Sequence, residues 1–349
     1  MKIIIAIDSF KGSLSSMEAG RAAAEGIRRV FPQAECIVRP LADGGEGTVE
    51  ALSEGLGGAI HEVEVTGPMG KPTLAKYALV GDLAVMEMAQ AAGITLVPIK
   101  ERNPMKATTY GVGEMILDAI KHGAKKFLIG IGGSATNDAG QGMLKALGDI
   151  STFNFQPSTF RVACDVKNPL CGPNGASAVF GPQKGATPEM VKELDARLKA
   201  FALASGDPGE TPGDGAAGGL GYAFRRFLNA ELLPGVELVL KETKLEEAVK
   251  DADFVVTGEG RLDGQTVMGK APIGVAKLAK KHGKKVLAFC GCVGDGVGAV
   301  NAAGIDAFFP ILRKVTSLEE ALDVANAAEN LASTAEQAFR LIQTSNLKL

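Results

Sequence analysis

The sequence predicts an α/β protein of two domains: a Rossmann-like parallel-sheet domain formed by both chain ends and an inserted mixed-sheet domain, with a cleft between them. Three observations carry that prediction. Strand, glycine loop and helix alternate at both ends of the chain. Three strand-like runs follow one another without a helix between residues 61 and 89. The 349 residues also exceed the ~150 that one hydrophobic core usually serves. The first domain is expected at 1–58 together with 246–349, and the inserted domain at 59–245.

Each element has a local reason. Ile3 to Ile7 is an unbroken apolar run, the pattern of a strand buried on both faces, and the helical periodicity after it opens with a Ser15 to Glu18 capping box. Cys36 to Val38 reads as a second strand, followed by an acidic glycine loop, Ala42 to Gly47, and a short helix. Beyond Gly57 and Gly58, TGPMGKP and VGD separate three short runs, which is antiparallel meander chemistry. A helix at Tyr110 to Lys121 closes on Gly123. Then come a strand at Phe127 to Ile131, a polar glycine loop entering a helix near Gly140, and a strand at Arg161 to Val166. Pro188 sits in the first turn of the next amphipathic helix, where helix starts accept it. The alternation returns with the strand Phe254 to Thr257, the helix Ile273 to Lys281, and strands at Val286 to Phe289 and Ala307 to Phe309. SLEEALDVANAAENLASTAEQAFRLIQ reads as one long helix.

Composition narrows the function. A net charge of −3 with scattered Lys and Arg provides no basic footprint for nucleic acid and no polybasic membrane face. The expected partners are small molecules; monomer and dimer stay equally open. Five Cys without zinc spacing read as reduced thiols, and no apolar run approaches a membrane span or a signal h-region, so a soluble cytoplasmic protein is expected. The three His fall at a strand edge or, for His122 and His282, at helix C-termini, where their partial charge suits the dipole.

The 45 Gly cluster in loops that follow strands. GIGGSATNDAG is not the dinucleotide fingerprint, because Ala135 stands where the third Gly belongs, and this weakens a dehydrogenase reading. Gly132, Gly133, Ser134, Ala135, Thr136 and Asn137 instead present amides and hydroxyls at a helix start, an anion cradle for phosphate; the competing reading is a helix start capped by Asp138. In GEGRLDGQTVMGKAPIG, Gly264, Gly269 and Lys270 match G-x-x-x-x-G-K, but Ala271 replaces the Ser or Thr that holds Mg²⁺ in a P-loop. Glu259, Arg261, Asp263 and Lys270 nevertheless follow a parallel strand, where open α/β sheets bind ligands. Asp8 and Lys11 in DSFKGSLS, and Asp43 and Glu46 in LADGGEGT, follow strands of the same expected sheet. Asp165 and Asn168 follow another strand and resemble ligands for a cation or a hydroxyl. Solvated loop charges beside turn glycines are the plain alternative for Asp8, Lys11, Asp43 and Glu46, and salt bridging for the 258–274 loop.

Taken in order, DSFKGSLS, PLADGGEGT, GIGGSATNDAGQGM, ACDVKNPL, FGPQKGA, GAAGGLG and TGEGRLDGQTVMGKAPIGVA resemble the signature blocks of the bacterial glycerate kinase family, type I. The resemblance covers nearly the whole chain; only the GDISTFNFQPST segment between Leu147 and Phe160 is shorter than is usual in that family. It implies transfer of the ATP γ-phosphoryl group to D-glycerate with Mg²⁺, giving phosphoglycerate, 2-phosphoglycerate in preference to 3-phosphoglycerate. On that expectation Gly132 to Asn137 hold the nucleotide phosphates, and Asp43 and Asp165 hold Mg²⁺ or orient the acceptor hydroxyl. Lys11 and Lys270 neutralise the transferring group, and Asp8 or Asp263 acts as base. Ser9, Arg261 and Asn168 hold the acid, Arg261 because its planar fork matches a carboxylate. The rival classes are an NAD(P)-dependent hydroxy-acid dehydrogenase and a non-catalytic sugar-acid binding protein.

Overall fold

The computed structural model describes residues 1–152 and 159–344. Residues 153–158, within the short segment before Phe160, lie outside the described residues. The strands in chain order are β1 (Lys2–Ile7), β2 (Glu35–Val38), β3 (Ala59–Thr66), β4 (Pro72–Val80), β5 (Leu83–Glu87), β6 (Lys126–Gly130), β7 (Phe160–Ala163), β8 (Glu231–Leu233), β9 (Phe254–Leu262), β10 (Lys285–Val293) and β11 (Ala307–Pro310). They form two sheets, ordered β11-β10-β9-β1-β2 and β3-β4-β5-β6-β7-β8.

The chain divides into two compact units, one of residues 1–43, 54–56 and 239–349 and one of residues 44–53 and 57–238. The helix Thr48–Leu56 contributes residues to both. In the first unit every strand pair is parallel, as the βα alternation requires. Ile3, Ile5 and Ile7 are fully buried in its core with Phe254, Val256 and Phe289. The helix Ser16–Val30 starts on the capping box read from the sequence, with Ser15 and Glu18 answering each other's backbone. Its small residues allow close approach to the C-terminal helix: a Cβ on Gly26 would lie 1.9 Å from the Ala332 carbonyl oxygen. Phe339 packs edge-on against Phe31 and Phe254.

In the second unit β3, β4 and β5 form the antiparallel meander, and β5 to β8 pair in parallel. Buried Tyr77, Met86, Phe127, Phe160 and Phe224 make its centre, with Phe127 and Phe160 stacked at 4.7 Å. The helix Tyr110–Lys121 turns Val112, Met115, Ile116 and Ala119 into that core, the spacing of one helical face. His122 and His282 do end their helices as caps. Among the described residues no helix is long and apolar enough to cross a membrane.

Several expected elements differ, among them β10, which runs past Phe289 to Val293. The strand begun at Phe254 does not stop at Thr257 but runs to Leu262, because Glu259, Arg261 and Leu262 pair with Cys290, Cys292 and Val293. The strand expected over Arg161 to Val166 ends at Ala163. The last segment is two helices, Leu318–Leu322 and Val324–Thr344, broken at Asp323. Asp323 has extended ψ and its carboxylate accepts from the Asn326 amide, so it acts as a fresh N-cap in the middle of an apolar period.

Candidate active site

The first unit gathers chemistry at the carboxyl ends of β1 and β9. Asp8 follows β1, its N–H donating to the Gly258 carbonyl at 2.9 Å. The chain then folds tightly, with Phe10 N donating to Leu14 O and Ser13 N to Phe10 O, so Ser9 and Lys11 stay beside it. Glu259 and Arg261, two apart on β9, share a face of the sheet. Lys270 stands immediately before the helix Ala271–Lys281. These residues and Asp43 line one pocket of about 450 Å³ in this unit.

Its electrostatics are those of mutually strained carboxylates held by cations. Burial, then the neighbouring charge of Asp43 and to a lesser extent of Glu259, pushes the Asp8 carboxyl up to about 7, against the Ser9 amide and Lys11, which favour its charged form. Ser9 N donates to Asp8 Oδ1 at 2.7 Å. Glu259 is buried too and its pKa is raised by that burial. It accepts from Thr266 Oγ1 at 2.8 Å and pairs with Lys270 Nζ at 3.5 Å. Arg261 keeps most of its guanidinium in solvent and touches Asp263 at 3.3 Å. Asp263 does not line the pocket: its other carboxylate oxygen accepts from the Gln265 amide, so it shapes the turn and steadies Arg261. A carboxyl poised near 7 beside cations can take a proton from a hydroxyl, and an exposed guanidinium fork can bind a carboxylate.

The glycine loop of the second unit is less open than its composition suggests. Gly132 and Gly133 are exposed, but Ser134, Ala135, Thr136 and Asn137 are buried. The Ala135 amide is committed to the Ala92 carbonyl, and Asn137 Nδ2 donates to Ser177 Oγ. The helix start beyond it has Gly140, not Asp138, at its N-cap; the Asp138 carboxylate, two residues earlier, accepts from the Gly140 and Gly142 amides and from Thr109 N and Oγ1. The helix, Gln141–Leu147, is only seven residues long. Thr136 Oγ1 and Asn137 Oδ1 are buried with no hydrogen-bond partner, which is uncommon for interior polar atoms. Asn168 and Asp165 also lie in this unit, Asn168 Nδ2 donating to Asn174 O and Asp165 Oδ1 accepting from the Gly235 amide at 3.0 Å.

Two groups had no role in the sequence reading. Lys184 is 2% exposed; its Nζ donates to Ser134 Oγ at 2.6 Å and to Thr136 O at 2.7 Å, directly under the glycine loop. Burial lowers its pKa to about 7, opposed by Asp138. Glu87, at the end of β5, accepts from the Val49 amide at 3.1 Å and is pushed by burial up to about 7. A single Lys in FGPQKGA and a single Glu in LAVMEMA carry no local sign that they turn inward.

Among the described residues no three His, Cys, Asp or Glu side chains are grouped to cage a metal ion. Mg²⁺ does not need such a cage, since it takes one or two carboxylates and completes its shell with phosphate oxygens and water. Asp43, whose charge together with that of Glu259 raises the Asp8 pKa in this pocket, suits that mode: a divalent cation offsets this repulsion.

The chain matches a family model described as Glycerate kinase family, over residues 3–154 and 149–343. It is 46% identical to a glycerate kinase of Halalkalibacterium halodurans, with 95% of this chain and 97% of that one covered. It is 44% identical to a glycerate 2-kinase of Escherichia coli, covering 96% and 98%. A crystal structure from Salmonella typhimurium LT2, provisionally assigned as glycerate kinase 2, superposes with a TM-score of 0.90 at 44% identity, covering 99% of both chains.

Proposed function

Because this chain belongs to the glycerate kinase family and is an ATP-dependent kinase, we propose that it transfers the γ-phosphoryl group of ATP to the 2-hydroxyl of D-glycerate, releasing 2-phosphoglycerate and ADP. One observation carries the reading: Asp8, Lys11, Glu259, Arg261 and Lys270, drawn from two distant stretches of sequence, line a single pocket. The glycerate 2-kinase named among the relatives favours the 2-position.

Phosphoryl transfer asks a protein chiefly for positioning and charge neutralisation, because the moving group carries its charge on peripheral oxygens. Arg261 holds the acid's carboxylate through two parallel N–H donors, with Ser9 as a further polar contact. Asp8, poised near 7, accepts the hydroxyl proton as the oxygen attacks phosphorus. Asp263, engaged with Arg261 and the Gln265 amide, is the weaker candidate for base. Lys11 and Lys270 offset charge on the transferring group. In the second unit, the exposed Gly132 and Gly133 offer backbone amides to phosphate oxygens, on a loop whose path Lys184 sets from beneath. Asp43 would hold Mg²⁺, which when bound supplies charge compensation to the polyphosphate.

Phosphorus NMR of the product formed from ATP, Mg²⁺ and D-glycerate tests the proposal. A 2-phosphoglycerate resonance with stoichiometric ADP is expected. A 3-phosphoglycerate resonance would overturn the regiochemistry, and intact ATP the whole reading.

A further inference from the structure

We infer that the apolar wall of the pocket in the first unit is the seat of the purine base of ATP. The inference rests on the kinase reading and goes beyond it by assigning residues 311–322 and Phe10, to which nothing in the sequence attached a role. The pocket has two chemical halves. One carries the charged groups already described. The other is formed by Phe10, Ile311, Leu312, Leu318, Ala321 and Leu322.

The break at Asp323 creates that second half. Were residues 317–343 one continuous helix, as the apolar period suggests, Leu318 and Leu322 would extend along the same axis as the C-terminal helix. The N-cap at Asp323 frees Leu318–Leu322 as a separate short helix, and Leu322 comes to 4.0 Å from where a Cβ on Gly12 would stand. The result is a row of large aliphatic side chains left in water beside a cavity: Leu318 is 75% exposed, Leu312 41% and Leu322 37%. Apolar surface favours burial by roughly 25 cal/mol per Å², so a flat apolar ligand gains directly from covering it.

Three further observations select a purine nucleotide as occupant. The pocket, about 450 Å³, exceeds what a three-carbon acid fills and lies within the ~300–1,000 Å³ typical of sites for larger ligands. Lys11 and Lys270 line the same pocket, so a base held by the leucines has cations within the site for its phosphates. Ser13 Oγ, on the pocket wall, is buried with no hydrogen-bond partner, a polar group that a base or ribose would satisfy.

Calorimetric titration of the full chain tests this with two probes, ATP and inorganic tripolyphosphate, the second carrying the phosphates without the base. The variants are the double change Leu318→Ser with Leu322→Ser, which strips the wall at exposed positions, and Ala321→Phe, which fills the cavity. The expected result is a Kd for ATP at least tenfold weaker in either variant, with the Kd for tripolyphosphate within twofold of the unaltered protein. ATP binding within twofold in both variants overturns the inference, as does equal weakening of the two probes. Because the readout is binding, its failure is separable from that of the kinase reading: an unaltered protein that binds ATP on this wall but leaves D-glycerate untouched would sink the proposed reaction alone.

Discussion

Replacing Lys184 by Met removes the cation beneath the glycine loop and should change how stability depends on pH. The Lys184 ammonium donates to Ser134 Oγ and Thr136 O, and burial lowers its pKa from 10.5 to about 7. A folded-state pKa below the unfolded one means that, between about pH 7 and 10, the unfolded chain holds a proton that the folded chain has shed. Stability then rises with pH by ~1.4 kcal/mol per unit across that range, and the gain is gone once pH has fallen below about 7. Met has no proton to exchange and lacks this component. Between pH 7 and 9 the difference between the two proteins should therefore move by about 2 kcal/mol in favour of the unaltered chain, allowing for half-titration at pH 7. Asp138, pushed upward by burial, loses its neighbouring cation in the variant, which acts in the same direction. Constant terms, such as lost hydrogen bonds or relieved desolvation, cancel in a comparison across pH. The assay is urea unfolding followed by far-ultraviolet circular dichroism, since the chain contains no Trp. A difference that stays constant within about 0.5 kcal/mol from pH 6 to 9 refutes a Lys184 pKa lowered by burial.

Asp8→Asn should lower kcat by about 10²–10⁴, the usual contribution of a positioned base; with Asp8 intact, kcat/KM for glycerate should climb with pH and level off above about 7, and a profile flat from pH 5 to 9 argues against Asp8 as base. Arg261→Lys should raise the glycerate KM far more than the ATP KM, because the ammonium loses the bidentate fork; equal effects on both would remove the clamp assignment. Gly258→Ala should destabilise by about 3 kcal/mol or more, read by urea midpoint, because its Cβ would stand 1.9 Å from the Phe289 carbonyl oxygen on a neighbouring strand that cannot retreat.

Much of the site was legible because it lies where strands end. Asp8, Lys11, Asp43, Arg261 and Lys270 each follow or extend a parallel strand, and the structure brings them to one pocket. The glycine loop was read correctly as a strand-to-helix connection, but its composition could not show that Asp138 answers the helix amides or that Ala135 to Asn137 turn inward. Asp263 illustrates the same limit. A carboxylate in a glycine loop looks free in sequence, whereas here it is engaged with a turn amide and Arg261.

The sequence alone determined the elements whose causes are local: the Ile3 to Ile7 strand, the Ser15 to Glu18 capping box, the meander between residues 61 and 89, and the helix Tyr110–Lys121. Each depends on period, cap or turn chemistry within a few residues. Tertiary structure alone decided that β9 continues through Arg261, since its partners Cys290 to Val293 lie some thirty residues away. It likewise decided that Lys184 turns in toward Ser134 and Thr136, and that the break at Asp323 leaves Leu318 and Leu322 over a pocket. Burial and strand pairing are settled by what arrives from elsewhere in the chain, and no window of neighbouring residues contains that information.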